Sequence, residues 1–326
     1  MSDILEVKNI SVSFVQESSF WRGLLGKNKI VSSTTVLNDV SLTLQRGDSL
    51  GIVGESGCGK STLARALVGL TPVTSGTIRV DDVDVTRQRD RALSRRVQMI
   101  FQDPSSSLNP ALTIGQMLSE LLLFHNLVER NKVRARCEDL MNMVHLPQSI
   151  LDRRPQRLSG GQRQRIGIAR ALALEPEILI ADESVAALDV SVQATVLNLL
   201  KELKERLNLT LVFISHDLGV IRHISDRVAV IYLGKIVEEG YTEQVFSHPA
   251  HPYTRALISA APNIQAMKQP GQSRLVGETP SLNQLPSGCY FSTRCIMAQD
   301  ICKQIPPPQK NINGHKFACH FEVEGG

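Results

Sequence analysis

The chain has 326 residues, 42% hydrophobic and 21% charged, values that exclude a disordered protein and suffice for two domains or one domain with an appendage. Its 36 Lys and Arg against 32 Asp and Glu leave a net charge of +4, which suits anionic ligands. That mild excess does not by itself argue for nucleic acid, and aromatics at only 4% argue against a surface built on base stacking. Residues 4 to 15 alternate apolar and polar, as a half-buried strand does. Ser18 to Ser33 reads as a surface loop around Trp21, Leu24 and Leu25, with contact to a partner or to lipid headgroups as the alternative. Strand pattern resumes over Val36 to Leu44, turns at Arg46-Gly47-Asp48, and continues as the apolar run Ser49 to Val53.

That run enters Gly54-Glu55-Ser56-Gly57-Cys58-Gly59-Lys60-Ser61, followed by Thr62, which fits G-x-x-x-x-G-K-[ST] without a substitution. Thr62 to Val68 has helical spacing, so the loop joins a strand to a helix. Its glycines allow several N–H groups to face one anion, and the helix N-terminus adds its positive dipole end. Phosphate is the expected ligand, with Lys60 on the β and γ phosphates and the Ser61 hydroxyl on Mg²⁺.

Further strands are expected at Gly76 to Val80 and Val97 to Phe101. From Thr113 to about Arg157 the pattern becomes that of a helical insertion, with helices over Ile114 to Val128 and Lys132 to Val144. After Leu158-Ser159-Gly160-Gly161-Gln162 come a helix over Arg163 to Leu174 and a buried strand over Glu177 to Ala181. Alternation then continues: helix Val192 to Leu207, strand Thr210 to Ser215, helix Leu218 to Ile224, strand Arg227 to Leu233, and a hairpin-like Gly234 to Gly240. Such alternation predicts a mainly parallel α/β sheet. Beyond about 247 the chain is richer in Pro, Gly and Gln and reads as an irregular extension. No run of about 18 apolar residues occurs, and Met1 to Glu6 lacks a basic segment before an apolar core. The chain is therefore expected to stay in the cytoplasm without crossing a membrane.

Hydrolysis of a bound polyphosphate needs carboxylates near the loop, and Ile178-Leu179-Ile180-Ala181-Asp182-Glu183 supplies two at a strand end. Asp182 would face the metal and Glu183 would act as base or water-positioning group. Gln102 and His216, each directly after an expected strand, would reach Mg²⁺ with the attacking water and the γ-phosphate respectively. Either alone is more often a loop hydrogen bonder, but in a parallel sheet all four groups fall at carboxyl ends. Ser159, Gly160, Gly161 and Gln162 open a second anion-binding helix. One nucleotide does not need two such sites, so this segment is expected to cap a nucleotide held by another subunit. Cys289, Cys295, Cys302 and Cys319 are spaced C-x₅-C-x₆-C-x₁₆-C. Four thiolates fit a [4Fe-4S] cluster or structural zinc, although the close pairs usual for zinc are absent.

These residues together resemble the nucleotide-binding subunits of ATP-binding cassette (ABC) transporters, over roughly residues 4 to 245. The resemblance implies an ABC-type P-loop NTPase with a RecA-like core, an antiparallel β subdomain and a helical subdomain at about 103–165, so that 1–246 form the ATPase domain. It implies ATP as substrate, Gly54 to Thr62 as Walker A, Gln102 as Q-loop, Leu158 to Gln162 as signature, Asp182 and Glu183 as Walker B with its catalytic acid, Ala186 to Asp189 as D-loop and His216 as switch. Phe14 stands where the family stacks an aromatic on adenine, with Trp21 and Tyr232 as the other candidates. Phe101-Gln102-Asp103-Pro104, Ser107-Leu108-Asn109-Pro110, His251 to Leu257 and the terminal cysteines resemble the dipeptide and oligopeptide importer subfamily, whose relatives also carry nickel and glutathione. That likeness makes 247–326 its C-terminal extension and favours the cluster over zinc. Ser184 and Ala186 depart from the usual Pro and Ser. The implied partners are a second, similar ATPase subunit in a heterodimer, two transmembrane permeases, an extracytoplasmic solute-binding protein through them, and no nucleic acid. The implied location is the cytoplasmic face of a bacterial membrane, and the implied activity is ATP hydrolysis driving import. A soluble relative acting on nucleic acid or ribosomes is the rival reading, which the single ATPase unit, the absence of a coiled-coil insertion and the weak basic excess oppose.

Overall fold

The computed structural model describes residues 3–17, 31–87, 90–103, 107–186, 188–261 and 277–321. The expected loop around Trp21 and the single positions Pro104 and Ala187 lie outside them. The described strands form two sheets. In the smaller, β1 (Asp3–Glu17) pairs antiparallel with β2 (Val31–Gln45) and with β4 (Ser75–Val80), and β5 (Val83–Asp84) closes the order β2-β1-β4-β5. The larger contains β3 (Ser49–Val53), β6 (Val97–Ile100), β7 (Ile178–Asp182), β8 (Thr210–Ile214), β9 (Arg227–Tyr232) and β10 (Lys235–Tyr241). β6, β7, β8, β3 and β9 are parallel neighbours in that order, and β10 returns antiparallel.

Strands buried on both faces should be apolar throughout, and β3, β7 and β8 are buried at every position. The period of two distributes them between two cores. Leu50, Ile52, Ile178, Ile180, Val212 and Ile214 pack with the smaller sheet and with Leu63, Ala66 and Leu67 of α1 (Lys60–Leu67). Val53, Leu179, Ala181, Leu211 and Phe213 face the opposite side, against α5 (Gly160–Leu172), α6 (Val190–Leu207) and α7 (Leu218–Ile224). Each fully buried Leu or Ile contributes about 2 kcal/mol of transfer free energy, so α1 is held by its apolar face and not by its eight-residue length.

The short α2 (Arg91–Arg96) leads into β6. The helical insertion follows β6 and contains α3 (Ile114–Phe124) and α4 (Val133–Met143). Helix α3 ends four residues earlier than its apolar periodicity suggests. Asn126 adopts a left-handed φ of 52°, the Leu127 N–H donates to the Leu122 carbonyl at 3.0 Å, and the Asn126 N–H to Leu123 at 3.1 Å, a Schellman stop.

The extension is more ordered than its composition suggested. After α8 (Thr242–Ser247) it forms α9 (Pro252–Ala260), α10 (Asp300–Gln304) and a hairpin of β11 (Gln309–Ile312) with β12 (His315–Ala318). Asn313 and Gly314, at φ 52° and 83°, make the two-residue turn that Asn-Gly favours. β12 then pairs antiparallel with β10, Glu238 opposite Phe317, so the extension adds two strands to the main sheet. Glu238 ties these parts together: its buried carboxylate accepts the N–H groups of Ala250 and His251, each at 2.8 Å, and lies 2.7 Å from His315 Nε2.

Candidate active site

Because β3, β8, β7 and β6 are parallel neighbours, their carboxyl ends share one edge, with Ile52 and Asp182 both level with Ile214 and Ala181 level with Ile100. From β3 the chain turns at Gly54, where φ is +156° and an added Cβ would lie 2.2 Å from the Ile231 carbonyl oxygen. Only glycine fits there. The turn is anchored by the Gly234 N–H, which donates to the Cys58 carbonyl at 2.9 Å. The Cys58 thiol is buried, and burial pushes its pKa up.

Lys60 opens α1 almost fully buried, and its Nζ donates to the Gly54 and Glu55 carbonyls at 2.8 and 2.9 Å. The Ser61 hydroxyl donates to Asp182 Oδ1 at 3.0 Å, linking the helix start to the end of β7. Burial holds the Asp182 carboxyl above its ordinary range; the Ser61 hydrogen bond opposes that and the neighbouring Glu183 charge adds to it. A buried carboxylate in that state gains most from a cation placed against it.

Glu183 takes a left-handed φ of 43°, rare for a residue with a side chain, and its N–H donates to the Ile214 carbonyl at 3.0 Å. This turn aims the carboxylate along the edge of the sheet. Gln102 Nε2 donates to its Oε2 at 2.9 Å, and His216 Nδ1 stands 3.5 Å from its Oε1. Val36, Ser56, Gly57, Gly59, Lys60, Ser61, Thr62, Gln102 and Glu183 line one cleft of about 270 Å³. Four separate segments, around residues 36, 60, 102 and 183, thus meet in it, with Asp182 and His216 attached through Ser61 and Glu183.

Other expected residues stand apart. Phe14 lies on β1 opposite Thr34, about half exposed and outside the cleft lining. Tyr232 is fully buried against Tyr253 and Phe291, so it is removed as a base-stacking candidate, and Trp21 falls outside the described residues. Val36, which lines the cleft, escaped sequence reading because on the chain it is one more apolar residue of an alternating strand.

Ser159 caps α5 in a reciprocal box: its hydroxyl accepts the Gln162 N–H at 3.3 Å, and Gln162 Oε1 accepts the Ser159 N–H at 3.0 Å. A Cβ on Gly161 would meet Val192 Cγ1 at 2.5 Å, so this helix start packs closely on α6, whose N-cap is the exposed Asp189. None of Ser159 to Gln162 lines the cleft.

The four cysteines of the extension line one small pocket with Phe291 and His320, and the Cys289 N–H donates to the Cys302 carbonyl at 2.7 Å. Burial pushes the Cys289 thiol up to about 11 and raises Cys295 and Cys319 as well. Among the described residues no three His, Cys, Asp or Glu side chains are grouped to hold a metal ion, so neither the expected [4Fe-4S] cluster nor its alternative, zinc, has a formed ligand group here.

Comparison with known proteins places these features. The sequence profile described as ABC transporter matches residues 37–186, and that of the oligopeptide/dipeptide transporter C-terminal region matches 237–302. The chain is 44% identical to the oligopeptide transport ATP-binding protein AppF of Bacillus subtilis (strain 168), over 98% of this chain and 97% of that protein. It is 44% identical to the oligopeptide transport ATP-binding protein OppF of Escherichia coli (strain K12), over 97% and 95%. Among solved structures it resembles the dimeric post-hydrolysis state of the ATP-binding cassette MJ0796 bound to ADP and Pi, with TM-score 0.62, 28% identity, and 73% of this chain and 98% of that one covered.

Proposed function

The chain belongs to the ABC transporter family of ATP-binding proteins, and from that premise we propose that it binds and hydrolyses ATP to energise import of oligopeptides or dipeptides. The observation that carries this is the convergence of Lys60, Ser61, Gln102, Asp182, Glu183 and His216 on one sheet edge beside the phosphate loop. Lys60 and the loop N–H groups take the β and γ phosphates. Mg²⁺, when bound, neutralises charge on those phosphates, and Ser61, Gln102 and, through water, Asp182 form a hard oxygen donor set suited to hold it. Glu183 takes the proton of the attacking water. Gln102 orients that water, and His216 hydrogen-bonds the γ-phosphate while its Nδ1 faces Glu183.

Ser159, Gly160 and Gly161 act on a nucleotide held by a second ATPase subunit, a reading supported by their position outside the chain's own cleft. Phe14 stacks on adenine. Among the described residues no helix is long and apolar enough to cross a membrane. The chain sits peripherally on two permease subunits, at the cytoplasmic face, and is served by an external solute-binding protein, a reading supported by its likeness to transport ATP-binding proteins. The finer reading of the extension is a [4Fe-4S] cluster on Cys289, Cys295, Cys302 and Cys319, supported by four soft ligands sharing one pocket. Anaerobic purification with about four irons per chain supports it; iron-free protein of equal stability opposes it.

Affinity purification from cells tests the main reading. Recovery with a second ATPase and two polytopic membrane proteins, and ATPase activity stimulated by peptide, are expected. Recovery with ribosomes or nucleic acid, without membrane proteins, refutes it.

A further inference from the structure

Glu55, the second residue of the phosphate loop, does not line the cleft. Its carboxylate is gripped by the extension: Arg294 Nη1 donates to Oε2 at 2.7 Å and Nη2 to Oε1 at 2.9 Å, and the Thr279 hydroxyl donates to Oε2 at 2.9 Å. The Glu55 N–H donates to the Tyr253 hydroxyl oxygen at 2.9 Å. Three separate parts of the extension, 198 to 239 residues away in sequence, thus converge on one loop residue.

The grip is rigid. The Arg294 side chain is only 5% exposed, and its guanidinium lies over the Tyr232 ring. Tyr253 is fully buried, with its ring centroid 4.6 Å from Tyr232 and 5.4 Å from Phe291. A forked guanidinium on both carboxylate oxygens fixes orientation as well as charge. The charge also matters, because the Glu55 carbonyl is bonded by Lys60, the cation meant for phosphate. An unpaired carboxylate beside it would compete for Lys60 and repel a polyphosphate. The Arg294 fork accordingly holds the Glu55 carboxyl below its usual range.

We propose that Arg294 is a positioning residue for ATP binding: by clamping and neutralising Glu55 it lets the C-terminal extension set the shape and charge of the phosphate loop within the same chain. The proposal deepens the ATPase reading and rests on it. It predicts an effect on nucleotide affinity, separable from the chemical step carried by Glu183.

The test measures equilibrium binding of MgATP to the full chain, and KM and kcat in the assembled transporter. Arg294→Gln should weaken ATP binding and raise KM about tenfold, with kcat within about twofold of the unchanged protein. Arg294→Lys, which keeps the charge but not the fork, should weaken binding about threefold, and it decides the matter if the Gln variant does not fold. The double variant Glu55→Gln, Arg294→Gln removes both charges and should recover affinity to within about threefold. Unaltered affinity in Arg294→Gln, or in Arg294→Lys where Gln does not fold, overturns the proposal alone, as does a double variant as weak as Arg294→Gln. Absence of ATP binding by the unchanged chain overturns the ATPase reading and this proposal with it.

Discussion

Replacing Glu183 by Gln separates chemistry from binding with little change of shape. The carboxylate accepts from Gln102, itself assigned to the metal, at 2.9 Å and faces His216 at 3.5 Å, whereas the other groups assigned to phosphate and metal, Lys60, Ser61 and Asp182, bond one another and the loop. An amide at 183 keeps its partner, because its own carbonyl oxygen can accept from Gln102 Nε2 and leave the Gln102 oxygen for the metal. What is lost is a proton acceptor, and general-base catalysis contributes about 10²- to 10⁴-fold, or about 3 to 5 kcal/mol of barrier. The assay is steady-state ATP turnover by the assembled transporter, in complexes whose partner ATPase already carries its own acid-to-amide change. That background leaves this chain's site as the source of the signal. Turnover should fall at least a hundredfold while MgATP affinity stays within about threefold. Turnover within threefold of the background complex refutes Glu183 as the base, and a collapse of affinity would show that Glu183 shapes the binding loop instead.

Gly160→Asp should lower turnover of the complex at least tenfold, by setting a carboxylate against the partner nucleotide's γ-phosphate in a dry interface, and leave nucleotide affinity of the isolated chain unchanged; loss of binding by the isolated chain contradicts the assignment in trans. Gly54→Ala forces a Cβ to 2.2 Å from backbone and should destabilise by about 3 kcal/mol or more in urea titrations, whereas Gly57→Ala, with nothing within 4 Å, should cost only the left-handed strain of about 1 kcal/mol. Equal effects at the two positions would refute the steric argument. His251 is buried with Nδ1 accepting the Tyr253 N–H at 3.1 Å, and burial depresses its pKa from 6.5 to about 4. Because the folded pKa lies below the unfolded one, the unfolded chain takes up the proton first as pH falls. Stability should be unaffected above pH 6.5 and fall between pH 6.5 and 4 by about 3 kcal/mol in total. His251→Asn keeps an acceptor for the cap and should flatten that pH dependence, and an unchanged slope in the variant counts against the buried neutral His.

The α/β core was legible along the chain because the alternation of β3, β7 and β8 with α1, α6 and α7 is written in apolar periodicity, and burial on both sheet faces demands it. The phosphate loop was legible for a local reason, since glycines and a lysine at fixed offsets dictate backbone shape without help from distant residues. Gln102 and His216 were weak signals singly, and they gained meaning only through strand order, which places the ends of β6 and β8 on either side of β7. The distances that join them to Glu183 depend also on its left-handed turn, which the chain does not announce.

The extension shows the limit most clearly. Its Asn313-Gly314 hairpin signal was present in the sequence, but its pairing with β10 was not, because the register rests on Glu238, far away in the chain, meeting His315 and the start of α9. The bond from Arg294 to Glu55 was likewise hidden: an arginine in a polar, Pro-rich tail carries no mark of its partner. Local conformation follows from neighbouring residues, whereas long-range charge pairing follows from which surfaces the completed sheet brings together, and only the tertiary structure decides that.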